Sequence, residues 1–538
     1  MSPKFSLDSL VIRGRSIVGW GWCMDAARPR ISGQLIVLLA DGTQFAVTCL
    51  SSGDRDDLCR VFPDVPHAGA SGFFFRSMLP LEMAVDANAE FRFRFTDGKE
   101  HAVVLPGFPG AYLLAPPVER TGLLESSARA WRRWRADGTA GIIRGLRELF
   151  VRRREARRMV DGVRSAISEA KGAILVFDHS MGGGANRYRD ERIQEWLRAS
   201  SGVFLITPDI ARLEFKLCVY RNAHATVTVS DPDIGRLCGM LEAVSPIEIH
   251  VNDLVGFEAP LDILEWCLSQ RGRGAALHFH LHDFHAVCPA FTLIDARGRY
   301  CGVPERDVCA ACLPANAQHT LGMDTGRSID EWRDGWERFL LACDGIHAFS
   351  DASVRILHRA FPLLCDRPID VRPHVPVTQP HRRVCVVPNV PVVVGIVGHI
   401  SMPKGAGMIR EMAARARARN LPVVFVVIGT LEGGAPAQDP VRVLGAYERS
   451  SLPDIVEAAG IGMCMLPSIC PETYSYVTDE IMQMDLPLAV FDIGAPAERV
   501  ARYAKGILIS RMDADTALDE ILRYAKDANI LVREEDNL

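Results

Sequence analysis

From residue 173 onward the chain repeats short apolar runs, each followed by a segment with helical periodicity, and this alternation limits the fold more than any other feature. Strands that alternate with helices form parallel sheets covered on both faces, because each crossover between parallel strands needs a helix. The runs fall into two sets on either side of a proline-rich stretch at residues 362–391. We therefore predict an α/β protein with two Rossmann-like domains that face a cleft.

The predicted strands are bounded by glycine, proline or charged residues. The first set comprises residues 173–178, 202–207, 247–251, 277–281 and 346–349. The second set comprises residues 392–397, 423–428, 441–444, 461–466, 488–491 and 507–509. Because the carboxyl ends of parallel strands meet at one edge of a sheet, both sets offer ligand-binding loops to the cleft.

The first third of the chain has a different pattern. Residues 1–112 contain short alternating runs separated by turn signals, which predicts a small all-β sandwich. Residues 113–171 are rich in arginine and predict a basic helical linker, which either lies on an anionic membrane surface or is simply solvated. The α/β domains are then expected at residues 172–385 and 386–538.

Composition excludes some classes of protein. The net charge of -5 and pI near 6.3 give no overall basic field, so nucleic acid is not expected as a partner. No apolar run reaches the length of a membrane span, and the first residues lack the apolar core of a signal peptide. We therefore expect a cytoplasmic protein. If the basic helix binds the membrane, the protein lies at the inner face of the cell membrane. Fifteen cysteines in such a chain indicate reduced thiols or a metal site.

Two glutamates stand eight residues apart near the C-terminus, Glu472 and Glu480. The predicted strand at 461–466 ends at Pro467, and a helix is predicted from Thr473 to about residue 484, which places Glu472 at a helix start and Glu480 two turns further along. A helix start offers unpaired N–H groups that suit a phosphate.

A cation precedes another predicted helix start in the second domain. Gly398 and His399 follow the predicted strand at 392–397, and Lys404 stands immediately before Gly405, where the helix is expected to begin. A lysine beside a helix N-terminus supplies the charge and the backbone donors that a diphosphate needs. A surface lysine beside a loop would show the same pattern.

Two further segments follow strands of the first domain. A glycine run at 182–184, with Gly183 and Gly184, opens a helix and permits close backbone approach to a ligand, although a tight turn has the same signature. His282 and Asp283 end a later strand, and Asn252 and Asp253 are weaker candidates of the same kind.

Four cysteines fall within residues 288–312, the last two as Cys-x-x-Cys: Cys288, Cys301, Cys309 and Cys312. This spacing favours a structural zinc in an insert of the first domain. Free thiols, and a redox or iron–sulfur role, remain the alternatives.

The order of these features over roughly residues 173–525 resembles family 4 of the retaining GT-B glycosyltransferases. The segment beginning Leu444-Gly-Ala-Tyr447 is also similar to that family, and Gly19-Trp-Gly-Trp-Cys23 resembles a β domain that precedes some bacterial members. The resemblance implies that Lys404 contacts the donor diphosphate, that Glu472 faces the transferred sugar and that Glu480 binds the ribose. It further implies a catalytic role for His282 and places the remaining donor-binding residues at Gly183, Gly184, Gly398, His399, Thr473, Tyr474 and Ser475.

The activity implied is transfer of a sugar from a nucleotide-diphosphate sugar to a hydroxyl of a saccharide or lipid-linked saccharide, with retention, in bacterial surface polysaccharide assembly. The family usually has arginine where this chain has His399. We expect no catalytic metal, because no Asp-x-Asp motif stands at a suitable strand end.

Alternative hypotheses are a catalytically weak glycan-binding or scaffold protein of the same fold, and a metal-dependent redox protein. A hydrolase pair of Glu472 and Glu480 is disfavoured by the two helical turns between them.

Overall fold

The computed structural model describes 18 stretches of the chain. They are residues 4–13, 16–24, 33–39, 42–51, 58, 61–62, 71–78, 90–95, 100–102, 165, 172–221, 224–231, 233–242, 245–316, 327–374, 382–386, 388–434 and 438–531. Apart from residue 165, the predicted basic linker at 113–171 lies outside them and stays a prediction. In the described stretches no helix combines the length and the apolar character that a bilayer crossing requires.

The N-terminal region forms two four-stranded antiparallel sheets, ordered β1-β2-β6-β5 and β4-β3-β7-β8. Their strands are β1 Lys4–Arg13, β2 Ser16–Met24, β3 Gly33–Leu38, β4 Gln44–Thr48, β5 Leu50–Ser51, β6 Gly72–Met78, β7 Glu90–Phe95 and β8 Glu100–Ala102. Alternating side chains from both sheets share one core, in which Ile12 and Phe75 of the first sheet join Leu35 and Phe93 of the second. The alternating runs predicted at residues 6–11, 16–22, 33–39, 44–49, 72–76 and 90–95 each overlap an observed strand, whereas residues 103–105 of the run predicted at 101–105 lie outside the described residues.

The first α/β domain is built on an eight-stranded sheet ordered β12-β11-β10-β9-β13-β14-β15-β16. Its strands are β9 Ile174–Phe177, β10 Val203–Asp209, β11 Glu214–Tyr220, β12 Ala225–Asp231, β13 Glu248–Val251, β14 Ala276–His280, β15 Gly345–Ala348 and β16 Asp370–Val371. Its helices are α1 Gly183–Ala199, α2 Ile234–Leu241, α3 Pro260–Arg271, α4 Arg306–Cys312, α5 Ile329–Ala342 and α6 Asp351–Ala360.

Three strands of this sheet were absent from the sequence prediction, and two of them are not parallel. β11 runs antiparallel to β10, and β12 antiparallel to β11, so the sheet is mixed at this edge. β11 alternates buried and half-buried residues, and β12 is largely exposed, so neither has the continuous apolar run of a central parallel strand. The two-residue strand β16 is too short to give a sequence signal.

The second α/β domain has a six-stranded, wholly parallel sheet ordered β19-β18-β17-β20-β21-β22. Its strands are β17 Val392–Ile400, β18 Val423–Leu431, β19 Val441–Val443, β20 Met463–Leu466, β21 Leu488–Phe491 and β22 Gly506–Ile509. Its helices are α7 Ala406–Ala418, α8 Leu452–Ala458, α9 Tyr476–Gln483, α10 Gly494–Val500 and α11 Ala514–Asp527. The prediction of an α/β fold with parallel-strand sheets is confirmed.

Alternate residues of β17 show why this strand is apolar throughout. Val394 and Ile396 are buried with α7 and α11, whereas Val393 and Val397 are buried on the opposite face with α8 and α9. A strand buried on both faces must be apolar at every position. The strand order also reverses between β17 and β20, which is where an open α/β sheet forms its ligand crevice.

The predicted start of the helix after Pro467 is wrong. α9 begins at Tyr476 and not at Thr473, because Ser475 is the N-cap and its hydroxyl accepts a hydrogen bond of 3.4 Å from the Thr478 backbone N–H. Glu472 therefore lies in the loop between β20 and α9 and not at a helix start, whereas Glu480 lies within the helix.

One face of the first sheet carries histidines where a parallel sheet usually carries aliphatic residues. His250 pairs in register with Val176 of β9 and His278 of β14, and α1 covers this face through Trp196. Burial lowers the pKa of His250 to about 4. The ring is therefore neutral near pH 7, so it can stack on His278 at a centroid distance of 4.7 Å without charge repulsion.

In the second domain, the loop after β17 packs directly on the loop after β20. Gly405 has a φ of +91°, and a Cβ at this position would lie 2.0 Å from the carbonyl oxygen of Pro467. The Ile469 N–H donates a hydrogen bond of 3.0 Å to the Pro403 carbonyl. The two loops at the sheet reversal therefore form one packed unit.

We predict that Gly405→Ala lowers the melting temperature strongly. The left-handed backbone alone costs a non-glycine residue about 1–3 kcal/mol, and displacement of Pro467 adds to that cost. The matched control is Gly434→Ala, because Gly434 has a φ of +64° but open space around it. Differential scanning calorimetry of both variants checks this. Equal losses would show that the contact with Pro467 contributes nothing.

Candidate active site

Loops from both domains meet at one place, next to the points where the strand order of each sheet reverses. In the first sheet the strand order reverses between β9 and β13, and in the second between β17 and β20. The Thr473 hydroxyl, in the loop after β20, donates a hydrogen bond of 2.6 Å to the His282 carbonyl oxygen of the first domain. A Cβ at Gly184 would lie 3.1 Å from the Tyr476 ring. The glycine loop, His282 and the Glu472 loop therefore border a single candidate site.

Lys404 offers a positive charge beside a helix start. Its side chain is exposed and makes no ion pair or hydrogen bond with the residues that the structure describes. Gly405 is the N-cap of α7 and supplies no side-chain cap. A cation together with an uncapped helix N-terminus is suited to binding an anion.

Gly398 and His399 lie at the end of β17, on the approach to Lys404. Gly398 has a φ of +116°, and its carbonyl oxygen packs against Gly429, where a Cβ would not fit. The exposed His399 ring has its Nδ1 2.5 Å from the Thr430 hydroxyl. The Thr430 contact fixes the orientation of the imidazole at the rim of the site.

The backbone of Glu472 is fixed by a hydrogen bond and by close packing, and one of its two carboxylate oxygens has a hydrogen-bond partner. Its carbonyl accepts a hydrogen bond of 2.8 Å from the Ala495 N–H, and Gly494 with a φ of +66° packs against it without a Cβ. The Ser468 hydroxyl donates to Oε1. No partner for Oε2 is found among the described residues, so this oxygen is available to a ligand.

Glu480 is buried and already paired. Arg449 Nε lies 2.5 Å from Glu480 Oε1, and only 5% of the Glu480 surface is exposed. Arg449 Nη2 is buried with no hydrogen-bond partner within the part of the chain that the structure describes. A buried donor without a partner costs free energy, so a polar ligand atom that accepts a hydrogen bond from Arg449 Nη2 would be stabilised.

Tyr474 and Ser475, which the sequence resemblance assigns to donor binding, both form hydrogen bonds within the protein. The Tyr474 hydroxyl donates to the His374 carbonyl oxygen at 3.1 Å and to Asp479, which also pairs with Arg499. The His374 ring stacks on Tyr474 at 4.5 Å. Tyr474 thus joins the two domains, and Ser475 caps α9.

His282 is a neutral hydrogen-bonding group. Burial, with smaller contributions from the charges of His374 and His179, holds its pKa well below the ordinary value. Its Nε2 lies 3.0 Å from Asn252 Oδ1. Because an amide oxygen only accepts, Nε2 carries the proton and Nδ1 is left as an acceptor.

The glycine loop is shaped by a buried carboxylate. Asp178 accepts hydrogen bonds from the His179 N–H at 2.7 Å, from Asn186 Nδ2 at 3.3 Å and from Arg189 Nη1 at 3.2 Å. Asn186 Oδ1 in turn accepts from the Gly182 N–H at 2.6 Å. Gly182 and Gly183 have positive φ and open space beside them, so this loop leaves room for a ligand.

Asp253 and Asp283 shape the neighbouring loops. Asp253 accepts from the Val255 N–H at 2.6 Å, and Asp283 accepts from the His285 N–H at 2.9 Å. Burial, aided by the charge of Asp178, raises the pKa of Asp253 to about 7. These carboxyls therefore hold the segments that present Asn252 and His282.

Sequence reasoning did not identify Tyr188, His374 or Arg449. Tyr188 packs on His282 at 5.0 Å and on His374 at 5.0 Å, and the His374 Nδ1 lies 2.7 Å from the Tyr476 hydroxyl. Each is a single polar residue outside any spacing pattern. Only the meeting of distant segments reveals them.

We predict that His374 makes the protein less stable in mild acid. Burial lowers the folded-state pKa of His374 to about 3, below an unfolded value of about 6.5. As the pH falls below 6.5, the unfolded state takes up a proton and the folded state does not. The contribution of His374 to the free energy of unfolding is therefore fully present above pH 6.5. Between pH 6.5 and pH 3 the free energy of unfolding falls by about 1.4 kcal/mol per pH unit.

Melting temperatures of the wild type and His374→Gln between pH 7.5 and 4.5 test this prediction. At pH 7.5 the melting temperature of the variant is expected to be lower than that of the wild type, because the variant loses the stacking on Tyr474. As the pH falls, the melting temperature of the variant decreases less steeply. Parallel curves for the two proteins would contradict the assignment.

The four predicted zinc ligands line one cavity of about 700 Å³ beside α4. Arg333 Nη2 donates to Cys309 Sγ at 3.4 Å, and the Ala296 N–H donates to Cys312 Sγ at 3.4 Å. Among the described residues, however, no three of the four sulfur atoms lie within 4.8 Å of one another. Sulfur ligands of one zinc lie about 4 Å apart, so binding would require side-chain rotation into the cavity.

Comparison with known proteins gives one family match. Residues 391–527 match the sequence model of the family described as Glycosyl transferases group 1. No curated protein matches the chain. The matched region coincides with the second α/β domain from β17 to α11. The second α/β domain is therefore the part of the chain that matches a glycosyltransferase family.

The solved structures that resemble the chain are remote. TarM is 14% identical, with a TM-score of 0.36 over 59% of this chain and 58% of the TarM chain. The pneumococcal O-GlcNAc transferase GtfA, solved in complex with UDP and GlcNAc, is 10% identical, with a TM-score of 0.40 over 68% of this chain and 93% of that chain. MurG of Acinetobacter baumannii is 11% identical, with a TM-score of 0.29 over 66% and 84%. The present chain thus spans less than two thirds of TarM.

Proposed function

We propose that the protein is a retaining glycosyltransferase that moves a sugar from a nucleotide-diphosphate sugar to an acceptor hydroxyl. The observation that carries this proposal is the contact between Thr473 and the His282 carbonyl. It sets the loop of Glu472 against the first domain, while Lys404 and the N-terminus of α7 lie on the packed neighbouring loop. A cation, a carboxylate and a neutral imidazole then surround one crevice.

The leaving nucleotide diphosphate carries the charge that develops during transfer, so its stabilisation is the main catalytic contribution expected. Lys404 and the uncapped N-terminus of α7 supply positive charge and donors for it. His399 replaces the usual arginine of the resembled family, and its contact with Thr430 leaves it able to form a hydrogen bond to phosphate. No catalytic metal is required by this arrangement.

Glu472 and His282 position the transferred sugar. The free oxygen of Glu472 accepts from sugar hydroxyls, and neutral His282 offers a hydrogen-bond acceptor without a charge. We assign ribose binding to Glu480, which pairs with Arg449, and the buried Arg449 Nη2, which has no partner among the described residues, supports this assignment as a hydrogen-bond donor. Because Glu480 is buried in an ion pair, a hydrolase role for the two glutamates is disfavoured.

The acceptor side and the biological process are proposed from the family resemblance. The acceptor is a saccharide or a lipid-linked saccharide, and the process is assembly of a bacterial surface polysaccharide such as O-antigen, capsule or exopolysaccharide. The basic segment at 113–171 would hold the enzyme at the inner face of the membrane. We interpret the two N-terminal sheets as a β-sandwich module ahead of the transferase domains.

We predict that Lys404→Ala and Glu472→Gln each lower the rate of transfer by about 10²–10³-fold, as expected for loss of one charged contact to the reacting groups. Incubation with a panel of nucleotide-diphosphate sugars and detection of the released nucleotide measures this. Lys526→Ala and Glu411→Gln are the matched controls, since both residues are exposed on helices of the same domain. Proton NMR of the glycosidic product gives the anomeric outcome.

A glycan-binding or scaffold role is the second hypothesis, favoured by His399 in place of arginine. No donor hydrolysis, no transfer and no nucleotide-induced rise in melting temperature across the panel would overturn the enzyme proposal. Glycan binding without turnover would then support the scaffold role.

We also propose one structural zinc bound by Cys288, Cys301, Cys309 and Cys312, because all four line one cavity and two of the sulfurs accept N–H hydrogen bonds. Cys309→Ser/Cys312→Ser is expected to remove one equivalent of zinc and to lower the melting temperature, with X-ray absorption of the wild type showing sulfur ligands. An absence of sulfur ligation in zinc-loaded wild type contradicts this. Coloured, redox-active iron would instead support the redox alternative.

A further inference from the structure

The first sheet carries a cluster of imidazoles on the face covered by α1, and the transfer mechanism does not use it. This histidine cluster consists of His250 on β13, His278 and His280 on β14, and His347 on β15. Register places His250 beside His278, and His280 beside His347, so all four rings lie on one face. Their centroids are 4.7 Å apart in both of these pairs.

A carboxylate completes one corner of the cluster. Glu248 lies two residues before His250 on β13, so both side chains point to the same face. Glu248 Oε2 lies 3.0 Å from His250 Nε2. One ligand atom from each of Glu248, His250 and His278 lies within 4.8 Å of the other two, the one such group of three in the described part of the chain.

We propose that Glu248, His250 and His278 bind a divalent transition-metal cation, with Zn²⁺ as the best-matched ion. Imidazole and carboxylate ligands stand about 2.0–2.2 Å from zinc, which places neighbouring ligand atoms about 3.3–3.6 Å apart in a tetrahedral site. The 3.0 Å separation in the Glu248–His250 pair is close to that spacing, and the ligand atom of His278, within 4.8 Å of the other two, would move closer when the ion binds. Water would take the fourth position.

The surrounding residues hold the proposed ligands as outer-shell partners of metal-bound histidines do. His250 Nδ1 lies 3.0 Å from His280 Nε2, which leaves His250 Nε2 as the ligating atom. His278 Nδ1 lies 3.4 Å from His347 Nε2, and His347 Nδ1 lies 3.2 Å from Asp370 Oδ2. Both proposed imidazole ligands are therefore oriented through their second nitrogen.

A metal can reach the site from solvent. The Glu248 side chain is 38% exposed, and His278 is half-buried, whereas His250 closes the inner side. Arg192 of α1 is a cation close to the cluster, but it pairs with Glu195 and stacks over Trp196 at 5.6 Å. Its charge is thus partly balanced by Glu195.

The metal site would be connected to the candidate active site. His280 Nδ1 lies 3.3 Å from the Tyr188 hydroxyl, and the Tyr188 ring packs on His282. A bound cation would fix His250, and through His280 the position of Tyr188. Metal binding itself does not depend on glycosyl transfer.

The test uses the full chain without a histidine tag, in a Cys309→Ser/Cys312→Ser background that removes two of the four thiols proposed to bind zinc and so disrupts that competing site. Equilibrium dialysis against Zn²⁺ with elemental analysis is expected to give one zinc per chain, with only nitrogen and oxygen ligands in X-ray absorption. Glu248→Gln and His278→Gln should each weaken zinc binding about tenfold or more. Glu265→Gln, an exposed glutamate on α3, is the control and should leave affinity unchanged.

Three outcomes overturn the proposal. They are no stoichiometric zinc in the thiol-deficient background, sulfur in the ligand shell of that variant, and equal affinities for Glu248→Gln and Glu265→Gln. If His278→Gln proves unfolded by circular dichroism, Glu248→Gln alone decides, because its isosteric change on a partly exposed side chain leaves the sheet packing intact. None of these experiments measures glycosyl transfer, so a negative result for zinc binding would not count against the proposed function.

Discussion

The candidate site depends on the contact between residues 473–476 and the first α/β domain. Thr473 donates to the His282 carbonyl, Tyr474 donates to the His374 carbonyl, and Tyr476 hydrogen-bonds the His374 ring. These bonds lie at the start of α9, which begins at Tyr476 after the Ser475 cap. Each domain alone would present an incomplete crevice, because the cation and the carboxylate belong to one domain and the imidazole to the other.

Electrostatics divides the site into two parts. On the first domain, burial keeps His282 and His374 neutral, so these groups contribute shape and hydrogen bonds. On the second domain, Lys404 is exposed and keeps its charge available, while the charge of Arg449 is balanced by Glu480. Such a separation suits a ligand with an anionic end and a neutral end, as a nucleotide-diphosphate sugar has.

Much of the fold was predictable because each central strand must be apolar on both faces, and β17 with its alternating buried residues shows this rule. The antiparallel β11 and β12 were missed, because β11 alternates buried and half-buried residues and the edge strand β12 is largely exposed. Glu472, Lys404 and the glycine loop were predicted as candidates from local spacing. Tyr188, His374 and the histidine cluster were not, although alternate histidines at 278, 280 and 282 are a period-two signal that would mark one face of a strand.

Sequence by itself determined the α/β class, the position of most parallel strands and the loops that follow them, because these depend on local periodicity and on glycine and proline chemistry. Tertiary structure alone decided which of those loops meet, that Glu480 is paired with Arg449 and that Ser475 caps α9. It also decided that four cysteines share a cavity and that four imidazoles stack on one sheet face. The reason is physical: strand order, register and domain contact join residues far apart in the chain, and no local pattern encodes those distances.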